Sequence, residues 1–265
     1  MKVGFVGAGR MGAPMIKRLV AAGHDVHALG RTDEKRTAVA ELGATPVASA
    51  QATTDGADIV VVCVFTDDQV QRICVEDGLA AALPAGAVLV LHTTGSPHTA
   101  HVVADIAARS GAEVLDAPVS GGPHDIAAGA VTLFVGGSAN AFDRAQPALA
   151  SYGDPILHVG ALGYGQKVKL INNTLFAAQI GLLAEAVKLG DSLGIDETAL
   201  LRALPHGSGS SRALAGVAAR GSVAAFIATA GPFVGKDIAV VRQTVAELGA
   251  DLGVLDTVVT AGLSG

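Results

Sequence analysis

The chain has 265 residues, of which 50% are hydrophobic, 16% charged and 3% aromatic, with no Trp. This composition supplies ample Ala, Val, Leu and Ile for a buried core and argues against intrinsic disorder. The net charge of −6 and the pI near 5.7 argue against nucleic acid as a partner, because phosphate binding needs a clustered basic surface.

Neither a metal site nor a membrane segment is indicated by the sequence. Cys63 and Cys74 form no metal-binding spacing and no disulfide framework. His98 and His101 share a predicted helix face, but no third ligand accompanies them, so we expect no metal. The first residues enter a strand pattern directly, without signal-peptide architecture, and the apolar run from Ile59 to Phe65 is too short to span a bilayer. We therefore expect a soluble cytoplasmic protein.

A glycine-rich motif follows the first predicted strand, Lys2 to Val6. It reads Gly7-Ala8-Gly9-Arg10-Met11-Gly12 and leads into a predicted helix that ends near Ala22. A G-x-G-x-x-G motif between a strand and a helix is the dinucleotide-binding fingerprint. Its glycines serve the tight turn, the close approach of a pyrophosphate and the packing of helix on strand. The alternative is a structural Gly-rich turn without a ligand.

The second predicted strand, Asp25 to Leu29, ends in Gly30-Arg31-Thr32. In NAD-preferring proteins an acidic residue near this point holds the ribose 2′-hydroxyl. Here Arg31 and Thr32 can instead bind a 2′-phosphate, since the planar guanidinium pairs two oxygens at once. We therefore predict NADP as the cofactor, with NAD as the alternative. The competing interpretation is that these are ordinary solvated charges at a helix start.

Strands and helices continue to alternate, which predicts a doubly wound parallel sheet with both faces covered. Further strands are expected at Thr45–Ala48, Ile59–Val64, Val88–His92, Glu113–Asp116, Thr132–Val135 and Ile156–His158, with helices at Asp68–Cys74 and His98–Ala108. Residues 1–160 thus form a predicted dinucleotide-binding Rossmann domain. Because ligands bind at the carboxyl ends of such strands, we place candidate site residues after these strands. One of these ends reads Ser120-Gly121-Gly122, which is either a small anion-binding nest or a plain turn.

From residue 161 onward the chain is predicted to be helical, forming a second domain over residues 161–265. A helix from about Gly165 to Leu193 is roughly 40 Å long, enough to leave one domain and enter another. Near its start, Lys169, Asn172 and Asn173 share a face on an otherwise apolar element. Helices are also expected at Glu197–Leu204, Arg212–Ala219 and Lys236–Leu248, and Leu255–Leu263 is apolar enough to pack against another subunit.

Taken together, these motifs resemble the β-hydroxyacid dehydrogenase family, to which 3-hydroxyisobutyrate dehydrogenase belongs and which is similar to 6-phosphogluconate dehydrogenase. The matching segments are Gly4–Gly12, Asp116–Gly122, Gly163–Asn173 and Lys236-Asp237, in the family's order. The resemblance implies hydride transfer between a nicotinamide and a small β-hydroxy acid or the matching semialdehyde. It also implies that Lys169 is the general acid/base, since burial and neighbours can lower a lysine pKa towards working pH.

The resemblance further implies roles for residues that no local pattern assigns. Ser120, Gly121 and Gly122 correspond to the loop that holds the substrate carboxylate, Asn173 to a residue that orients the substrate, and Asp237 to one that reaches the substrate or Lys169. The implied cofactor contacts outside the Gly7–Gly12 loop are Val64, Phe65, Gln69, Thr94 and Lys236.

Several positions depart from the family pattern and leave the substrate open. Leu91 stands where the family often has Asp, Asp125-Ile126 replaces a Gly-Ala pair, and Gly231-Pro232-Phe233 interrupts a regular helical pattern. The alternatives are an imine reductase, although such enzymes generally carry Asp or Tyr at the position of Lys169, and a non-catalytic NADP-binding protein. A homodimer or a dimer of dimers is expected, because the long helix and the small helical part have little core of their own.

Overall fold

A computed structural model describes residues 1–263 of the chain. They form two compact units, Met1–Lys169 and a second unit from Leu170 onward. The predicted second domain runs to residue 265, and its last two residues lie outside the described part.

Nine strands and eleven α-helices lie within the described residues. The strands are β1 (Lys2–Val6), β2 (Asp25–Leu29), β3 (Thr45–Val47), β4 (Ile59–Val62), β5 (Val88–Leu91), β6 (Glu113–Asp116), β7 (Val119–Ser120), β8 (Val131–Gly136) and β9 (Gly153–Gly160). The helices are α1 (Gly12–Ala21), α2 (Asp33–Glu41), α3 (Asp67–Gln71), α4 (Pro97–Ala107), α5 (Pro123–Ala128), α6 (Ala139–Leu149), α7 (Tyr164–Ser192), α8 (Glu197–Ala203), α9 (Arg212–Arg220), α10 (Val223–Glu247) and α11 (Val254–Leu263). The predicted Rossmann sheet followed by a long helix and a helical part is thus confirmed.

The sheet has the strand order expected of a dinucleotide-binding fold. It runs β3-β2-β1-β4-β5-β6-β8-β7, with β9 paired to β8, and neighbours from β3 to β6 are parallel. The order reverses between β1 and β4, and ligands of such sheets bind outside the carboxyl ends of the strands at this switch point. The Gly7–Gly12 loop lies at that end of β1.

The predicted parallel sheet is observed from β3 to β6 but has antiparallel pairing at its far edge. β8 runs antiparallel to both β6 and β7, and β9 then pairs parallel with β8. The two-residue β7 was not predicted at all. Only the six-residue α5 lies between β7 and β8, whereas a parallel return needs a crossover of about a dozen residues or more.

Both faces of the sheet are covered by apolar layers. In β4, Val61 packs in the layer that holds Leu19 of α1, whereas its neighbour Val62 packs in the layer that holds Val103 of α4. Successive side chains of a strand point to opposite faces, so a fully apolar strand such as β4 belongs between two layers. The continuous apolar runs of β4 and β5 are therefore explained by their central position.

The second unit is built from the later turns of α7 and from α8–α11. Ile180 and Leu183 of α7 pack with Leu214 and Val217 of α9. Farther along the unit, α11 crosses α7 closely, since a Cβ at Gly181 would lie 2.0 Å from the backbone oxygen of Val258. Leu255, Val258 and Val259, in the apolar segment predicted to pack, thus belong to an apolar cluster of the second unit.

Two helix bounds differ from the sequence prediction. α10 begins at Val223, well before the predicted start at Lys236, because the Ser222 hydroxyl accepts a hydrogen bond from the Ala225 amide and caps the helix. The segments Val223–Thr229 and Val234–Glu247 meet at 74°. Pro232 lies between them and lacks a backbone N–H, and proline is a common cause of such bends. The other difference is that α3 continues as a π-helical turn, Arg72–Glu76.

One helix of the described residues, α7, is long and apolar enough to cross a membrane, and the bent α10 adds a second if its two segments count as one span. In its most apolar stretch 44% of α7 is buried inside the protein. The central helices of soluble proteins meet the same criteria of length and composition.

Candidate active site

The glycine-rich loop after β1 has the shape that its sequence predicts. Gly7 has φ +109°, and a Cβ there would lie 2.1 Å from the Cys63 carbonyl oxygen. A Cβ at Gly12 would lie 2.0 Å from the Gly7 carbonyl oxygen. At Gly9, by contrast, a Cβ would meet no described atom within 4 Å. The loop is therefore closed towards the sheet and open at Gly9, where a ligand can approach the backbone.

The start of α1 is free to bind an anion. Within the described residues no side chain caps this helix. Ala8 and Met11 are half-buried against the core, while Arg10 is exposed. The first N–H groups of a helix carry partial positive charge and bind phosphates readily. The loop and helix start thus fit a dinucleotide pyrophosphate.

At the end of β2, Arg31 and Thr32 are exposed. The Thr32 hydroxyl accepts a hydrogen bond from the Lys35 amide at 3.3 Å and caps α2. Arg36 donates to the Gly30 carbonyl oxygen at 3.2 Å and also pairs with Asp33. Arg31 and Lys35 are therefore exposed cations of this corner, whereas Arg36 holds the turn together.

The residues after β4 form the start of α3. The Gln69 side-chain oxygen accepts hydrogen bonds from the Phe65 amide at 2.8 Å and from the Thr66 amide at 3.2 Å. The Thr66 hydroxyl in turn accepts from the Gln69 backbone amide, which completes a capping box. Val64 is half-buried and Phe65 is 53% exposed. Gln69 thus shapes this turn, while Phe65 offers an exposed apolar surface.

The end of β5 is tied to the end of β4 by one hydroxyl. Thr93 Oγ1 accepts from the Val64 amide at 3.0 Å and donates to the Val64 carbonyl oxygen at 3.1 Å. Thr94, the predicted nicotinamide neighbour, is half-buried in the following turn. The two strand ends on the predicted cofactor side are therefore held together by these hydrogen bonds.

Gln166, in the first turn of α7, holds the turn that contains Thr94. Its side-chain amide donates to the Thr93 carbonyl oxygen at 2.7 Å, and its side-chain oxygen accepts from the Gly95 amide at 3.0 Å. The residue is 3% exposed. One side chain thus brackets Thr94 from both sides.

Asp116, at the end of β6, caps α7 from outside the helix. Its carboxylate accepts hydrogen bonds from the Gly163 amide at 2.7 Å and the Gln166 amide at 2.6 Å. The side chain is fully buried, and this burial raises the pKa of the Asp116 carboxyl to about 6, against the lowering effect of its hydrogen bonds. A Cβ at Gly165 would lie 2.4 Å from the Phe134 carbonyl oxygen, so only glycine admits this approach.

Lys169 follows in the next turn of α7. It is 9% exposed and has interactions within the protein. Because residues three apart share a helix face, Lys169 lies on the face of Gln166, the residue that holds the Thr94 turn. The lysine predicted to be catalytic is therefore a buried cation on a helix anchored at two strand ends.

The Ser120-Gly121-Gly122 loop contains an internal acceptor. The Gly122 amide donates to Asp125 Oδ2 at 2.6 Å. The Asp125 side chain is 20% exposed, and exposed His124 lies beside it, with 3.4 Å between His124 Nε2 and Asp125 Oδ1. The Gly122 amide, predicted to contact a substrate carboxylate, is thus occupied by a carboxylate of this chain.

In the second unit, the predicted substrate-binding residues form a chain of polar contacts. Asn173 donates to Asp237 Oδ2 at 2.5 Å and accepts from the Asn172 amide group at 3.1 Å. Lys236 Nζ lies 2.8 Å from Asp237 Oδ1 as an ion pair. Asn173 is 9% exposed. Asn173 and Asp237 are therefore brought together, and Asn172 and Lys236 limit how each can turn.

Asp116 and Gln166 were missed as functional candidates by the sequence analysis. A signal was present, because residues 159–163, before the long helix, contain no Ser, Thr, Asp or Asn that could cap it. Such a buried helix start must receive its cap from another part of the chain. The acidic residue at the end of a neighbouring strand, Asp116, was the available acceptor for these helix amides.

Other buried polar groups near the strand ends are neutral and structural. His92 Nδ1 lies 2.6 Å from the Ala117 carbonyl oxygen, and its Nε2 lies 2.8 Å from the Tyr152 hydroxyl. Burial lowers the pKa of His92 to about 4 and raises that of the Cys63 thiol to about 12. Among the described residues, no cluster of three or more His, Cys, Asp or Glu side chains could hold a metal ion.

Two family models match the chain. Residues 2–160 match the family model described as the NAD binding domain of 6-phosphogluconate dehydrogenase. Residues 163–261 match the model described as the NAD-binding domain of NADP-dependent 3-hydroxyisobutyrate dehydrogenase.

Similar individual proteins carry related names. The chain is 36% identical to 3-hydroxyisobutyrate dehydrogenase of Pseudomonas aeruginosa, over 80% of this chain and 72% of that protein. It is 34% identical to the NAD-dependent L-serine dehydrogenase of the same organism, over 80% and 72% of the two chains. Among solved structures, the 3-hydroxyisobutyrate dehydrogenase of Mycobacterium tuberculosis with L-serine is 28% identical, with a TM-score of 0.87 over 99% of this chain and 92% of that one.

Proposed function

The chain belongs to the 3-hydroxyisobutyrate dehydrogenase family of NAD(P)-dependent oxidoreductases acting on CH–OH, and from this premise we propose an NADP-dependent reaction on a small β-hydroxy acid or its semialdehyde, with Lys169 as general acid/base. The bound nicotinamide supplies or takes up the hydride. The observation that carries the assignment is the buried Lys169 on a helix start held by Asp116 and Gln166.

Lys169 moves the proton that must accompany the hydride. In reduction its ammonium donates a proton to the carbonyl oxygen as that oxygen gains negative charge, and in oxidation its amine accepts the hydroxyl proton. The positive charge also stabilises the developing alkoxide, an interaction that gains strength where water is excluded. Burial of Lys169 supports both roles, since a solvated lysine would do neither as well.

Replacing Lys169 with Ala tests this assignment. We expect the variant to bind the cofactor as the wild type does, and kcat to fall by about 10²- to 10⁴-fold, the usual contribution of a general acid/base. The matched control is Lys167→Ala, which removes a lysine that lies over the Tyr164 ring, with 4.8 Å from Nζ to the ring centroid. Full turnover in the Lys169 variant would refute the role of this residue.

Cofactor binding is assigned to the Gly7–Gly12 loop and to the strand-end residues Val64, Phe65, Gln69 and Thr94, with Lys236 as a further contact. The open backbone at Gly9 and the uncapped start of α1 support a pyrophosphate there. Exposed Arg31 beside Thr32 supports a 2′-phosphate and thus NADP, and NAD remains the alternative.

Kinetics with both cofactors, on the wild type and on Arg31→Ala, decide this preference. We expect the wild type to have a lower KM for NADP than for NAD. Loss of a hydrogen-bonded charge should weaken NADP by about 10- to 100-fold and leave NAD almost unchanged. Arg109→Ala, an exposed arginine elsewhere, is the control. A wild type that prefers NAD would overturn the proposal.

Substrate binding is assigned to Ser120, Gly121 and Gly122 and to Asn173 and Asp237. The contact between the Asn173 amide and the Asp237 carboxylate supports an orienting role, because each side chain restricts the other. The names of the relatives place plain hydroxy acids and L-serine among the substrates to be screened. Turnover of a panel of three- to five-carbon hydroxy acids, semialdehydes and keto acids is the direct test.

We also propose a cytoplasmic homodimer or dimer of dimers, without nucleic acid or membrane partners, and a boundary between domains after residue 160. The two family models support that boundary, since one ends at residue 160 and the next begins at 163. The second unit supports self-association through exposed apolar residues of α7, namely Ile171, Leu175, Leu182 and Leu189. Recovery of the protein from the soluble fraction without detergent would agree with the proposed location.

A further inference from the structure

We propose that Asp125 determines substrate specificity, by making the Ser120-Gly121-Gly122 loop favour a β-hydroxy acid that also carries an ammonium group over one that carries a carboxylate alone. This inference rests on the proposed function, since it concerns the same substrate loop. It goes further by naming a residue outside the matched motif and the charge of the ligand that this residue selects.

The loop cannot act as a simple carboxylate nest because one of its amides is already occupied. The Gly122 amide donates to Asp125 Oδ2 at 2.6 Å, a short charge-assisted bond. A substrate carboxylate at this amide would have to displace the Asp125 carboxylate. The same oxygen is close to Gly121 as well, since a Cβ at that position would lie 2.7 Å from it.

The charge of Asp125 acts on whatever enters the loop. The side chain is 20% exposed, so the charge is only partly screened by water. A second carboxylate at hydrogen-bonding distance from this loop would be repelled. An ammonium group, in contrast, gains a direct partner in the Asp125 carboxylate.

A zwitterionic substrate end satisfies both kinds of group in the loop. Its carboxylate can accept from the Ser120 hydroxyl, while its ammonium meets Asp125. Exposed His124 adds no fixed positive charge that would cancel Asp125, since its side chain is 84% exposed and screened by solvent. The loop is therefore suited to a 2-amino-3-hydroxy acid.

A purely structural role for Asp125 is separable from this one. Asp125 occupies the third position of α5, and its bond to Gly122 also caps that short helix. Asn is an equally good acceptor at a helix cap but carries no charge. Asp125→Asn thus keeps the cap and removes the charge, whereas Asp125→Gly removes both.

The test measures binding in dead-end complexes, so that it does not depend on turnover. The dissociation constants of L-serine and 3-hydroxypropionate, which differ only in the ammonium group, are measured by calorimetry on the protein saturated with reduced cofactor. We expect the wild type to bind L-serine at least about tenfold more tightly, and Asp125→Asn to reduce that ratio by about tenfold, because L-serine loses the charged partner of its ammonium group. Asp143→Asn, which removes an exposed aspartate on α6, should leave the ratio unchanged.

Two results would overturn the inference. One is a ratio in Asp125→Asn that stays within about twofold of the wild type. The other is a ratio that changes in Asp125→Gly but not in Asp125→Asn, which would assign the effect to the cap. Failure of the proposed function looks different, because the wild type would then bind these ligands with the expected ratio and yet turn over no hydroxy acid with either cofactor.

Discussion

At the scale of single residues, Asp116 and His92 are buried ionisable groups with opposite responses to pH. The pKa of Asp116 is raised to about 6 by burial, so its proton is held more tightly in the folded state than in the unfolded one. This group therefore contributes stability that is fully present below the unfolded pKa and lost as the pH rises through about 6. The pKa of His92 is lowered to about 4, so its contribution is present above the unfolded pKa and lost as the pH falls through about 4.

Asp116→Asn tests the pH dependence of stability that the raised pKa of Asp116 implies. The rise in this pKa corresponds to about 3 kcal/mol of unfolding free energy at low pH, and the variant lacks this contribution because Asn does not titrate. On going from pH 7 to pH 4, the wild type should gain about 2 kcal/mol of unfolding free energy relative to the variant. Urea denaturation at several pH values measures the difference. If the two proteins differ by the same amount at both pH values, Asp116 does not titrate in the folded protein with the raised pKa.

Residues whose role is local could be predicted from the sequence, and residues whose role depends on distant partners could not. Gly7 and Gly12 were predicted because their backbone requirements follow from the motif itself. Gln166 was missed because its partners, Thr93 and Gly95, lie far away in the chain and meet it only after the sheet forms. For the same reason Asp125 was noted as a departure, but its bond to Gly122 could not be foreseen.

At the scale of elements, the start of α7 is joined to β5 and β6 by two side chains. Asp116 holds the backbone of the helix, and Gln166 holds the turn around Thr94. Both supply hydrogen bonds that a helix start and a strand end cannot make locally. The position of α7 along the sheet is thereby linked to the conformation of the Thr94 turn.

Gln166→Leu should therefore affect both stability and catalysis. The change leaves the Thr93 carbonyl oxygen and the Gly95 amide unpaired in buried positions, which costs about 1–3 kcal/mol. Because small displacements of positioned groups are costly, kcat should also fall by about tenfold or more. Gln146→Leu, an exposed glutamine on α6, is the matched control for unfolding and steady-state assays. An unchanged kcat in a destabilised variant would limit Gln166 to a structural role.

Helices and strands with a long apolar periodicity were predicted well. Elements whose bounds depend on a single helix cap or on a short strand pairing were predicted poorly. The α7 prediction, Gly165 to Leu193, differs by one residue at each end from the observed Tyr164–Ser192. β7 has two residues and no pattern of its own, so only its pairing with β8 defines it. The early start of α10 depends on the cap at Ser222. The sequence prediction placed the start at Lys236, because Pro232 is unfavourable inside a helix.

At the scale of the whole molecule, the exposed apolar residues of α7 support the proposed association of copies of the chain. Leu175, Leu182 and Leu189 are 49%, 57% and 61% exposed and recur every seven residues. This spacing keeps them on one face of a helix. Large exposed apolar patches commonly mark interfaces, so this face is the candidate for self-association.

Leu182→Glu combined with Leu189→Glu should convert the proposed dimer to monomers, because two carboxylates would be buried without partners in each interface. Light scattering coupled to gel filtration gives the mass. Leu248→Glu, which changes a residue that is 62% exposed at the end of α10, should leave the mass unchanged. A wild-type protein that is monomeric would contradict the proposed assembly.

The continuity of α7 constrains how proteins of this fold can change in length. Lys169 and Asn173 are four residues apart on one uninterrupted helix, and each added residue would turn the following part by about 100°. A single insertion between them would send the lysine and the asparagine to different faces. Insertions and deletions among proteins of this fold should therefore occur in surface turns, such as the one at residues 207–211, and not in the first turns of α7. The long helix thus fixes the rotation of Lys169 relative to Asn173. The spacing between these residues is therefore as strongly constrained as their identity.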